Sequence, residues 1–369
     1  MPAPVLLDTS PTKDSMLLTR ATERGVQNVQ EVHVTPTIRL GMSGTRVYRV
    51  RAKLDGSRWS RYFYAKVGNI DRLRFEHDAY RRYVQGQIPQ VTEAWFLPMN
   101  HLACLCCFTA GVSHVEPTPL VDLLEQPFQI PTSRICEALD RIYGMLLIPW
   151  REASEDVEIA WFDEYSWHLR WIRTESFLRS WLGYADCEKK TFSLGPQRFV
   201  SPLNLICRAR DEAWSSKVRR RPTHGDLHQR NIIIDRIGEE LNPWLIDFGW
   251  TRVLHSLVDY ALLEASLKMF FFARFFSEDR YLQLHDLLHN NSRSIKRYRT
   301  GPEEAMLNII QAIRNKAREE VYSYEAWPRE YYLASLFVSL GLITIPTGLP
   351  RMAWLTSAWF ATQIGQQQH

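Results

Sequence analysis

Short apolar runs of strand character fill the chain from about Glu31 to Val112, and helical periodicity takes over from about Pro117, so the pattern predicts two lobes of different build. Val47 to Ala52 and Tyr62 to Val67 are rich in Val, Tyr and Phe. Asp55-Gly56 between them suits the positive φ of a tight connection, which predicts an antiparallel hairpin. From Arg72 to Val84, Leu73, His77, Tyr80 and Val84 recur on one helical face, and Leu102 to Phe108 reads as a buried strand. Pro302 to Val321 predicts another helix: Met306, Ile310, Ile313, Ala317 and Val321 form an apolar stripe, and Pro302, Glu303 and Glu304 suit its first turn.

A chain of 369 residues exceeds one domain of about 150 and fits two lobes. With 45% hydrophobic and 23% charged residues it is neither disordered, collagenous nor a coiled coil. A net charge of +4 is too mild for charge-driven nucleic-acid binding, and the basic run Lys217 to Arg221 reads as a solvated loop. The cysteines at 104, 106, 107, 136, 187 and 207 have no matched Cys/His spacing of the zinc type and read as reduced thiols of a cytoplasmic protein, the first three as core packing. Residues 1–30 lack the apolar stretch of a signal peptide and read as an N-terminal arm, mobile or facing a partner. The uncharged run Tyr331 to Pro350 is long enough to span a bilayer, but Ser335, Ser339, Gly341, Thr344 and the stop at Pro346 favour a buried core helix, with no membrane involved.

The chemistry concentrates in Thr223-His224-Gly225-Asp226-Leu227-His228-Gln229-Arg230-Asn231, followed by Ile232-Ile233-Ile234-Asp235 and Trp244-Leu245-Ile246-Asp247-Phe248-Gly249. Phosphoryl transfer needs one carboxylate for the acceptor's proton and separate oxygen ligands for Mg²⁺. A loop followed by a hairpin can gather Asp226, Asn231 and Asp247 for those tasks.

These motifs resemble the HGDxHxxN catalytic loop and the following IDF-type metal motif of the aminoglycoside phosphotransferase and choline kinase group of kinase-like enzymes, over roughly residues 35 to 270. The resemblance implies an α+β, two-lobed protein-kinase-like fold. Residues 31–112 would form a small antiparallel-sheet lobe with one main helix, and residues 113–369 a larger helical lobe carrying the catalytic loop 223–249. It further implies Asp226 as catalytic base, His224 as the loop's buttress, and Asn231 and Asp247 as metal ligands. His228 also matches and is read as packed or hydrogen-bonded. Upstream, Gly41, Ser43, Gly44 and Val47 resemble a phosphate-cradling loop and its following strand. Lys66 resembles the lysine on the α- and β-phosphates, with Glu76 as its partner and Glu93 the lesser alternative. Phe108 and Ala110 lie in the implied hinge, whose backbone would meet the base. The cofactors implied are Mg²⁺ and ATP, with GTP the alternative.

Two functions follow from the resemblance. One is an Mg²⁺·ATP-dependent phosphotransferase acting on a hydroxyl of a small molecule. Glu152, Glu155, Asp156, Glu158, Asp163 and Glu164, interleaved with Trp161, Phe162, Tyr165, Trp167 and Trp171, would suit a cationic acceptor, the alternative being an amphipathic helix with a solvated acidic face. The other is a kinase-like interaction or signalling module of a bacterial multigene conflict system, which phosphorylates a protein partner or is inactive. Asp259 and Glu264 fit the Asp-x-x-x-x-Glu helix of the ternary-complex-associated kind, with Tyr331 to Phe360 as docking surface or core. The full set Lys66, Glu76, Asp226, Asn231 and Asp247 favours the enzyme.

Overall fold

The computed structural model describes residues 5–7, 12–36, 45–55, 58–60, 62–88, 93–108, 118–125, 130–183, 189–289, 301–345 and 349–367. They divide into two compact units: Met1–Pro117 with Ile233–Thr251, and Thr118–Ile232 with Arg252–His369. The architecture is α+β, a sheet-based first unit and a helical second one. This division differs from the sequence reading, which set residues 1–30 apart as an arm and began the helical lobe at residue 113. Residues 233–251, expected with the helical lobe, group with the first unit.

The first unit is built on a six-stranded sheet of order β1-β2-β3-β4-β6-β5. Its strands are β1 (Val5–Leu7), β2 (Val29–Pro36), β3 (Arg46–Leu54), β4 (Phe63–Asn69), β5 (Ala94–Met99) and β6 (Leu102–Phe108). Only β1 and β2 pair in parallel. β3 and β4 form the expected hairpin with Val47 opposite Lys66, and β6 runs over the residues its apolar run marked. β5 ends the sheet, the position where Pro98 removes no ladder hydrogen bond that a central strand would need. Helix α2 (Ile70–Tyr83) is capped by Asn69, whose side chain accepts from the N–H groups of Asp71 and Arg72, and it buries Leu73 against Ala103 and Leu105.

The opposite face of the sheet corrects the reading of residues 1–30 as an arm. Helix α1 (Thr12–Gly25) packs Leu17, Leu18 and Ala21 into one core with Val32, Val50, Phe63, Cys104 and Cys106. Buried Asp14 pins it there, accepting from Arg46 at 2.5 and 2.8 Å and from the Tyr48 hydroxyl at 2.5 Å. Burial, with the Asp14 carboxylate, pushes Tyr48 up to about 12. Cys104 and Cys106 are core residues, and burial pushes the neighbouring Cys107 up to about 12, so that thiol stays protonated.

In the second unit a three-stranded sheet pairs Ser215–Thr223 with both Glu155–Ala160 and Arg252–His255. Both charged runs acquire a different meaning here. The basic run is a strand, not a loop, and its register sets Lys217 opposite Glu158, Arg219 opposite Asp156 and Arg220 opposite Glu155. Opposite charges on adjacent strands screen each other, and Trp161 and Tyr165 are buried in the core, so the acidic, aromatic stretch is an element of this fold and no longer an argument for a cationic acceptor. The helix Gly301–Arg318 buries its predicted stripe of Met306, Ile310, Ile313 and Ala317. Tyr331 and Phe360 are also buried, as are most residues of the two helices that carry them, Trp327–Gly341 and Pro350–Gln366, so these helices are core, while Leu349 ahead of the second is exposed. Among the described residues no helix is long and apolar enough to cross a membrane.

The helix Val258–Phe270 runs through this core and carries Glu264, which accepts from Arg314 at 2.9 and 2.8 Å, from the Tyr331 hydroxyl at 2.5 Å, and from Lys268. Burial works against the Glu264 carboxylate, but Arg314 and Lys268 outweigh it and hold the group down to about 2. Lys268 shares that carboxylate with a fixed guanidinium, and its burial pushes it down to about 7, against 10.5 for an ordinary lysine. Between those values the unfolded chain binds the proton that the folded one has released, so this group's contribution makes stability rise with pH. Lys268→Met should flatten the rise, by up to about 1.4 kcal/mol per pH unit, in urea unfolding compared at pH 7 and pH 10. An unchanged slope would exclude Lys268 as the titrating group.

Candidate functional site

In the first unit, β4 carries Lys66 on the face that α2 covers, and the Lys66 ammonium donates to Glu76 at 2.5 Å and to Asp247 at 2.7 Å. The Asn69 cap and the buried Leu73 fix α2, so Glu76 is delivered by a helix held at both its start and its apolar face. Glu76, and not Glu93, is the carboxylate that meets Lys66. Burial alone would lower the Lys66 pKa, but the carboxylates of Asp247 and Glu76 overcome it and hold the ammonium above its ordinary value. Burial pushes Glu76 upward, with Lys66 opposing.

Asp247 stands in the left-handed region at φ 67°, costly for a residue other than glycine and a mark of functional sites when the surroundings enforce it. They do so here. The Phe248 ring lies 6.4 Å from that of Tyr80, and a Cβ at Gly249 would approach Glu76 Cγ to 3.3 Å, so the Asp-Phe-Gly turn is fitted against α2. Val47 lies beside Lys66 on the sheet, and Phe108 closes β6 opposite Phe63. Gly41, Ser43, Gly44 and Ala110 lie outside the described residues.

In the second unit, the strand Ser215–Thr223 ends where the loop begins. The N–H groups of His224 and Gly225 donate to the two carboxylate oxygens of Asp259, at 2.8 and 2.9 Å, from the first turn of the helix Val258–Phe270. Gly225 has φ 75°, which favours glycine, and its carbonyl accepts from His168 Nε2 at 3.0 Å. Asn231 donates its side-chain N–H to the main-chain carbonyl of Asp226 at 2.8 Å, and its own N–H to the His228 carbonyl at 2.9 Å. His224, Leu227 and Ile232 are buried, while the Asp226 side chain keeps 33% exposure. His228 is hydrogen-bonded: Nδ1 accepts from the Arg230 N–H at 3.2 Å, and Nε2 lies 3.8 Å from Asp226.

Five residues turn a helix by ~140°, so Asp259 and Glu264 serve different surroundings, one holding the loop and the other the charged core. Each unit by itself carries an oxygen of the hard kind that divalent cations take. In the second, Asn231 spends its amide N–H on Asp226, which orients its amide oxygen away from that loop; in the first, the Asp247 carboxylate accepts from Lys66. No group of three or more His, Cys, Asp or Glu side chains converges among the described residues, and Mg²⁺, which keeps most of its waters, needs no such cage. The residue that sequence reasoning missed is His168. Nothing in the aromatic stretch around it marks the ring that reaches a loop 57 residues further on.

Comparison with known proteins adds the following. The fold is similar to that of a thermostable mutant of aminoglycoside phosphotransferase APH(4)-Ia in a ternary complex with ADP and hygromycin B, at 12% identity and a TM-score of 0.46, over 89% of this chain and 93% of that one. It is also similar to amicoumacin kinase hAmiN in complex with AMP-PNP, Ca²⁺ and Ami, at 13% identity and a TM-score of 0.44, over 90% and 88% of the two chains. A third similar structure is an aminoglycoside-3'-phosphotransferase of type VIII, at 15% identity and a TM-score of 0.40, over 82% of this chain and 100% of that one. No curated protein matches the chain. Residues 172–339 match the family described as Ternary complex associated domain 9, a stretch that contains the loop from His224 to Asn231 and both Asp259 and Glu264.

Proposed function

We propose that this chain is a kinase-like phosphotransferase that moves the γ-phosphoryl group of Mg²⁺·ATP to a hydroxyl of a small molecule. The observation that carries the reading is Lys66 held between Glu76 and Asp247. An ammonium fixed by a helix carboxylate beside a second carboxylate on a strained turn is the arrangement that phosphate and metal binding need. In this reading Lys66 holds the α- and β-phosphates, Glu76 aims it, and Val47 with the backbone near Phe108 faces the base. Gly41, Ser43, Gly44 and Ala110 are the further contacts the resemblance adds. Asp226 receives the acceptor's proton as its oxygen bonds to the γ-phosphorus and the bond to the β–γ bridging oxygen breaks. Asn231 and Asp247 would hold Mg²⁺, which when bound neutralises charge on the phosphate oxygens. The setting is the cytoplasm, and Cys104, Cys106, Cys107, Cys136 and Cys207 are free thiols.

The test is thermal unfolding of wild type and Asp247→Ala with ATP or GTP, each with and without Mg²⁺. A ligand that binds only the folded state stabilises it by about 2.7 kcal/mol at a hundred times its Kd. The wild type should show a Mg²⁺-dependent rise that Asp247→Ala loses. Absence of any rise with either nucleotide would sink the reading. It would favour the alternative, a kinase-like interaction module, which the match of residues 172–339 to a ternary-complex-associated domain supports.

A further inference from the structure

Gly225 lies between two peptide groups held from different elements. The His224–Gly225 peptide gives its N–H to Asp259, and the Gly225–Asp226 peptide gives its carbonyl to His168. A carbonyl only accepts, so His168 donates from Nε2. Its Nδ1 is buried with no hydrogen-bond partner among the described residues, which favours a neutral ring, and burial holds the His168 pKa down to about 4.

The ring is placed with care. Its helix, Trp161–Leu169, is tied down by the Tyr165 hydroxyl, 2.6 Å from His255 Nδ1, and His255 Nε2 lies 2.8 Å from Glu330 on the helix Trp327–Gly341. That second helix also presses its backbone against His168, since a Cβ at Gly341 would lie 2.0 Å from the His168 carbonyl oxygen. No larger residue fits at 341 while His168 stays where it is. Two helices and a strand thus hold one imidazole N–H against one carbonyl.

A glycine leaves the peptide after it easy to rotate, because no Cβ restricts ψ. Rotation of the Gly225–Asp226 peptide would swing the Asp226 side chain and break the acceptor contact of Asn231, whose amide donates to the next carbonyl in the chain. We propose that His168 is a positioning residue for phosphoryl transfer, locking the Gly225–Asp226 peptide so that the Asp226 carboxylate meets the acceptor hydroxyl in one orientation. The proposal rests on the phosphotransferase reading and adds to it a residue outside the catalytic motif.

Full-length wild type, His168→Phe and His168→Gln decide it. Phenylalanine keeps the ring's bulk without a donor, and glutamine restores an N–H. The readouts are ADP release from Mg²⁺·ATP with water as acceptor, giving kcat and KM separately, and amide hydrogen exchange at Asp226. His168→Phe should lower kcat by roughly tenfold, the worth of one buried hydrogen bond, with KM for ATP unchanged and exchange at Asp226 faster. His168→Gln should recover most of both. Unchanged kcat and exchange in His168→Phe, or a His168→Gln protein as impaired as His168→Phe, would overturn the positioning role. If His168→Phe does not fold, His168→Met carries the same arm. Should the wild type release no ADP, the phosphotransferase reading fails by itself. Exchange at Asp226, accelerated by phenylalanine and restored by glutamine, then still decides whether His168 locks the peptide.

Discussion

Asp226→Asn should lower phosphoryl transfer by about a thousandfold while leaving nucleotide-dependent stabilisation intact. Asparagine has the same shape, and the Asp226 main-chain carbonyl that Asn231 holds is unaffected, so the loop keeps its form. What disappears is the charge of a partly exposed carboxylate able to take a proton. Lys66, Glu76 and Asp247 belong to the first unit and bind each other without Asp226, so the Mg²⁺·ATP-dependent rise in unfolding temperature should match that of the wild type. ADP release and thermal unfolding on the same preparation separate the two effects. Transfer at the wild-type rate would remove Asp226 from the role of base, and loss of the nucleotide-dependent rise would mean that the substitution disturbs more than the proton acceptor.

The parts of this molecule that sequence could show are those where a local period records burial. The run Leu102–Phe108 is apolar because it is a strand enclosed on both faces, and the stripe from Met306 to Ala317 is apolar because one side of its helix is core. The loop from His224 to Asn231 stood out for a different reason, since the phosphoryl transfer proposed for it would fix residue types at short spacing. What stayed hidden depends on partners far along the chain. Helix α1 shows only three core residues and an acidic one, and nothing near Asp14 announces that Arg46 and Tyr48, 32 and 34 residues away, complete it. Read alone, the acidic run suggested a cationic partner or a solvated helix face, and the basic run a solvated loop. Their register, set by two strands some sixty residues apart, makes them partners of each other. His168 belongs to the same class: its function lies in one hydrogen bond to a backbone carbonyl, which leaves no trace in residue type.

Asp259→Ala tests how far the loop from His224 to Asn231 depends on the carboxylate that holds its first two N–H groups. Both oxygens of Asp259 are used, each by the backbone N–H of a buried residue. Alanine removes both acceptors and leaves two donors unpaired, at about 1–3 kcal/mol each, a large part of the 5–15 kcal/mol by which domains are typically stable. Urea unfolding should therefore move to markedly lower midpoints, and ADP release should fall even at temperatures where the protein remains folded, because Gly225 and with it Asp226 lose their anchor. Asp259→Asn is the graded case. Its amide oxygen satisfies one N–H, while its amide nitrogen faces the other donor to donor, so its stability should lie between wild type and alanine. The order wild type, asparagine, alanine should hold for both midpoint and turnover, since one pair of hydrogen bonds governs both. A stable Asp259→Ala protein with wild-type turnover would show that the loop is held elsewhere. A destabilised one with wild-type turnover at low temperature would separate the anchor of the fold from the alignment of the base.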